Sequence, residues 1–78
     1  MIDAEKKRAL NALEAKFEVV EHYLRGGAVS PTEASAALTK AIDEYGAVIT
    51  DVDVRSDTVL FWSRKAWRML LRATKARA

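Results

Sequence analysis

Few side chains in this sequence are of a type that could do covalent chemistry. His22 is the only histidine and there is no cysteine, so neither a Cys–His nucleophile pair nor a closed Cys/His zinc site can be assembled. Set between Glu21 and Tyr23, His22 reads as a half-exposed helix residue. The run DVDVRSD at 51–57 spaces its acids like the oxygen ligands of a calcium loop. Yet position five of that loop is Arg55, position six is Ser56 where glycine must turn, and position twelve is Trp62 in place of a bidentate glutamate. No P-loop or dinucleotide fingerprint is present, and the one Gly-Gly pair, Gly26–Gly27, lies in a turn. The expectation is a chain without enzymatic activity, metal or cofactor.

The chemistry that remains is that of charge. The closing stretch WSRKAWRMLLRATKARA, residues 62–78, carries six Lys or Arg and no acid, whereas residues 26–61 carry six acids and two bases, and residues 1–25 five of each. A net charge of +2 therefore hides a strong asymmetry. At 100° per residue, Arg64, Lys65, Arg68, Arg72 and Lys75 fall within an arc of roughly 100°, with Ala66, Trp67, Leu70 and Ala73 on the other side. Trp67 and Leu70 are expected to help close the core, and the five cations to form an outward partner-binding stripe.

Four roles fit such a stripe. An acidic protein surface suits a helix of Arg, Trp and Met, types enriched at interface hot spots. Nucleic acid is the alternative, because a Lys/Arg row can follow phosphates; the acids Asp43, Glu44, Asp51, Asp53 and Asp57 oppose it unless they face away. A membrane surface is set aside, since an apolar face used for the core cannot enter lipid. The structural role is that the stripe faces the acidic segment of its own chain or of a second copy.

The elements that must position these residues begin with a helix at 3–25, where Leu10, Leu13, Phe17, Val20 and Leu24 recur at spacings of 3 and 4. Asp3–Lys7 and Glu21–Arg25 are favourable i,i+4 pairs, and Gly26 stands where a left-handed cap is wanted. So narrow a seam calls for an antiparallel helix in the chain or for a homodimer. Ser30, Pro31 and Glu33 then spell a capping box with Val29 and Ala34 as its hydrophobic staple, opening a helix over 31–45 whose apolar stripe is rich in alanine. A helix-turn-helix reader of DNA is disfavoured, because a β-like run follows.

After Gly46 the period shortens. Val48, Thr50, Val52 and Val54 alternate with Ile49, Asp51, Asp53 and Arg55, and TVLFW at 58–62 is β-branched and aromatic. This predicts a β-hairpin over 47–62 with Val52 opposite Leu60 and Thr50 opposite Trp62, against a competing helix capped by Asp57. The expected fold is a single α+β domain spanning 1–78, of order α-α-β-β-α, ending in a basic helix at 63–76. No apolar run reaches the ~20 residues of a membrane span, and the absence of cysteine and of an export signal points to the cytoplasm. The expected role is a small regulatory or inhibitory protein, of the kind carried by phages or mobile elements, that binds a larger protein or nucleoprotein assembly.

Overall fold

A computed structural model describes residues 4–77, with side chains for residues 4–75. Three helices follow one another: α1 (Ala4–Arg25), α2 (Pro31–Gly46) and α3 (Val52–Arg77). Asp3, expected as the first helical residue and as the partner of Lys7, lies outside the described residues.

The α1 seam is filled inside the chain. Leu13, Phe17, Val20 and Leu24 are buried and Leu10 is half-buried. They pack with Ala34, Leu38, Ala41 and Ile42 of α2 and with Trp62, Ala66, Met69 and Ala73 of α3. Phe17 meets Trp62 edge-on, ring centroids 5.3 Å apart. The alanines of α2 and α3 let the backbones approach, so three helices close around few large side chains. Any contact between two copies of the chain must use another surface.

The turn between α1 and α2 satisfies the helix ends on both sides. Gly27, with φ of 79°, takes the left-handed position that the sequence reading gave to Gly26. Gly27 N–H donates to the Leu24 carbonyl and Ala28 N–H to that of Tyr23, the paired bonds of a Schellman stop. Three residues on, Glu33 N–H donates to Ser30 Oγ at 3.1 Å, and Ser30 N–H returns a 2.8 Å bond to the Glu33 carboxylate. That backbone bond, assisted by the Ser30 side chain, holds the Glu33 carboxyl below its ordinary value of 4.5.

The β-hairpin expected over 47–62 does not exist, and with it the α+β class falls: among the described residues the fold is all-α. Residues 47–51 are a short connection, and α3 starts at Val52 rather than at 63 or at the Asp57 cap. Asp51 is the residue that starts it. Its carboxylate accepts from Val54 N–H at 3.0 Å and its carbonyl from Arg55 N–H, while Arg55 Nε donates to the Ile49 carbonyl at 2.9 Å. The alternation that suggested a strand has no two-faced burial behind it, because Val52 and Val54 are both exposed and Ile49 is buried in the connection. Four β-branched residues, Val52, Val54, Thr58 and Val59, cost the helix about 0.5 kcal/mol each relative to alanine. Burial of Trp62 outweighs them, since truncating a buried tryptophan costs about 3–5 kcal/mol.

Gly46 closes the α2–α3 corner by absence of a side chain, not by a left-handed turn: a Cβ there would lie 3.0 Å from Val59 Cγ2. The chain thus runs up, down and up, in a body of 44 × 20 × 15 Å, with α3 spanning about 39 Å at 1.5 Å per residue.

The capping box gives a test. Because the folded Glu33 pKa is lowered, its contribution is complete above about pH 4.5 and is lost as pH falls through the lowered value. Glu33→Gln should therefore be less stable than wild type at pH 7 in urea titrations, with the gap closing towards pH 3. Ser30→Ala should cost about 1 kcal/mol at pH 7. A Glu33→Gln gap that is the same at both pH values contradicts the assignment.

Candidate functional site on the third helix

With Trp62 inside, the phase of α3 is fixed. Trp62, Ala66, Met69 and Ala73 point inward and Leu70 is half-buried, so the helix carries three outer stripes. The first leans towards α1. Lys65 and Arg72 line an open groove of ≈ 380 Å³ with Glu14, Glu18 and Glu21, over a floor that includes Phe17, Trp62 and Met69. Lys65 Nζ lies 5.5 Å from the Trp62 ring centroid and 5.9 Å from that of Phe61, which itself meets Trp62 edge-on. Such cation–π contacts add to the attraction between the lysine and the three glutamates.

The second stripe, Arg64, Arg68 and Lys75, stands opposite the core and is exposed. Leaning towards α2 is the third, which is apolar: Leu60, Trp67 and Leu71 are exposed, Trp67 to 63 % against 8 % for Trp62. The expectation that Trp67 helps close the core is thereby corrected. Five residues of helix rotate 500°, so two tryptophans at 62 and 67 cannot share one face. The sequence reading took its phase from Trp67 and Leu70 because Trp62 had been assigned to a strand.

All five predicted cations are thus brought to one side of one helix, but they do not form a single surface. Lys65 and Arg72 face carboxylates of their own chain, and those carboxylates belong to α1, not to the acidic segment at 43–57. Among the described residues the one ion pair within bonding distance is Arg25–Glu21 at 3.0 Å, within α1. The Lys65 and Arg72 charges are therefore balanced across a solvated gap, where exposed groups attract weakly. Sequence reasoning missed Leu60, Trp67 and Leu71 as surface residues. The signal was available in the heptad Val59, Trp62, Ala66, Met69, Ala73, whose spacings of 3 and 4 run straight through the supposed strand boundary.

Among the described residues no polar or charged side chain is buried, and no three His, Cys, Asp or Glu gather where a metal could sit. His22 is exposed in the last turn of α1, its ring edge-on to Tyr23 at 5.7 Å. Asp43, Glu44, Asp53 and Asp57 are exposed, and Asp51 is engaged as the cap of α3. No described helix is long and apolar enough to cross a membrane. No family model, curated protein or solved structure matches the chain.

The two halves of the basic stripe should respond differently to charge reversal. Lys65→Glu/Arg72→Glu places two more acids beside Glu14, Glu18 and Glu21 and should lower stability by about 1 kcal/mol. Arg64→Glu/Arg68→Glu, facing solvent, should change it by less than about 0.5 kcal/mol. Equal losses in chemical denaturation would show that the stripe is one electrostatic unit.

Proposed function

We propose that this chain is a non-enzymatic binding domain, regulatory or inhibitory in effect, that docks the outer face of α3 onto an acidic surface of a larger protein. The exposure of Trp67 carries this reading. A tryptophan open to solvent beside Leu60 and Leu71, all exposed, is an apolar patch with no role in the fold. Arg64 and Arg68, one turn apart on the same side of the helix, border it. A central aromatic anchor rimmed by arginine is the composition of protein-interface hot spots.

Nucleic acid is the second reading, because Arg64, Arg68, Arg72 and Lys75 form a row along α3. Two features count against it. The glutamates of α1 lower the potential at Lys65 and Arg72, and the exposed leucines offer nothing to a phosphate backbone.

The test is affinity capture on the immobilised chain in the presence of nuclease, followed by reconstitution with the purified captured protein. Binding of that protein should be lost by Arg64→Glu/Arg68→Glu and by Trp67→Ala, both of which should keep the wild-type circular dichroism spectrum. A 20-base-pair DNA duplex, titrated at 50 and 200 mM salt, should bind weakly in both. A steep salt-dependent affinity for the duplex, or a captured protein indifferent to both variants, would overturn the proposal.

A further inference from the structure

Trp67 and Leu71 are not an isolated patch: they form one wall of a groove. Trp67, Leu70, Leu71 and Thr74 of α3 face Pro31, Thr32, Ser35 and Ala36 of α2 across a channel of ≈ 470 Å³. No charged side chain lines it. The α2 wall is low because its residues are small, and the α3 wall is high because of Trp67. The Thr74 hydroxyl donates to the Leu70 carbonyl of its own helix, so it makes no demand on an occupant.

Resting on the docking face proposed above, we infer that this groove receives an acidic amphipathic helix of the partner, which completes a four-helix bundle. Shape argues for a helix. A channel between two packed helices accepts the ridges of another, whereas an extended strand finds no sheet edge to pair with among the described elements. The α3 wall spans residues 67, 70, 71 and 74, the i, i+3, i+4, i+7 pattern that matches two turns of an incoming helix, and Leu60 extends the apolar line by two turns more. From Leu60 to Thr74 the length is about 21 Å, or roughly fourteen residues of partner helix.

Charge argues for acid. Beyond the α3 wall the partner helix meets Arg64, Arg68 and Lys75, all exposed, with no ion pair to any described residue of their own chain. Asp and Glu on that flank of the partner would be matched; Lys and Arg would be repelled. A second copy of this chain is a poorer occupant: docking by its α3 would bring Arg64 and Arg68 against Arg64 and Arg68, and the exposed apolar pair on α1, Val19 and Tyr23, spans a single turn beside the exposed Lys16. An anionic membrane is poorer too, since a concave channel between two helices does not fit a flat bilayer surface.

The experiment pans a phage-displayed library of random 16-residue peptides on the immobilised full chain and measures the strongest binder as a synthetic peptide. Its sequence should place apolar residues at i, i+3, i+4 and i+7 with Asp or Glu on one flank, and it should gain helicity on binding. Thr32→Gln/Ala36→Gln, which raises the low wall with neutral side chains at exposed helix positions, should weaken it roughly thirtyfold, as should Trp67→Ala. Should the double variant fail to fold by circular dichroism, Trp67→Ala and Leu71→Ala decide.

A binder that is lost with Arg64→Glu/Arg68→Glu yet indifferent to the groove variants overturns the groove inference while leaving the docking face intact. One indifferent to both sets, a basic or extended binder, or no enrichment at all overturns both. Two further results assign the groove elsewhere and overturn the inference: wild-type dimerisation in sedimentation abolished by Thr32→Gln/Ala36→Gln, or a blue shift of tryptophan emission with vesicles of phosphatidylglycerol and phosphatidylcholine that the same variant abolishes.

Discussion

Everything in this molecule turns on which tryptophan is inside. Trp62 packs edge-on against Phe17 at 5.3 Å, and it is the larger of these two aromatic side chains in a core otherwise built of leucine, isoleucine, valine, methionine and alanine. A 78-residue chain without disulfides buries a modest fraction of its surface, so one such aromatic contact between the first and last helices is a large share of its cohesion. The same contact sets the rotation of α3. Once Trp62 faces α1, Met69 and Ala73 must follow it inward, Lys65 and Arg72 must lean over the α1 glutamates, and Trp67 must turn out to solvent.

The surface chemistry is a consequence of that rotation. A row of five cations that looks uniform along the sequence is divided by geometry into a pair balanced within the chain and a set of three that faces outward. The outward set shares its side of the helix with leucines and a tryptophan that the fold does not use. Charge beside an unemployed apolar surface gives both steering and anchoring, the one acting on the rate of encounter and the other on the lifetime of a complex. Neither component needs a buried titratable group, and none is buried among the described residues.

Much of the first half of the molecule was legible. The spacing of Leu10, Leu13, Phe17, Val20 and Leu24 announces a helix with one buried line, and Ser30, Pro31 and Glu33 announce the start of the next through bonds that form locally. Such signals depend on residues within a turn of each other. The beginning of α3 was not legible in the same way, because Val52, Val54, Thr58 and Val59 prefer extended backbone and the alternation at 48–55 mimics a strand. What overrides them is tertiary: Trp62 gains its burial from Phe17, forty-five residues earlier. The mistaken strand then carried over into the site, since a helix thought to begin at 63 took its inner face from Trp67. The cations themselves were found; the apolar residues beside them and the α1 carboxylates that claim two of them were not.

The tryptophans also supply the most direct check, because they report on opposite sides of one helix. In Trp67→Phe the remaining Trp62 should emit at short wavelength and resist quenching by acrylamide. In Trp62→Phe, which keeps an aromatic ring against Phe17, the remaining Trp67 should emit near the wavelength of the free amino acid and be quenched readily. Protection of Trp67 with exposure of Trp62 would contradict the account, since α3 would then be rotated and its apolar line would belong to the core.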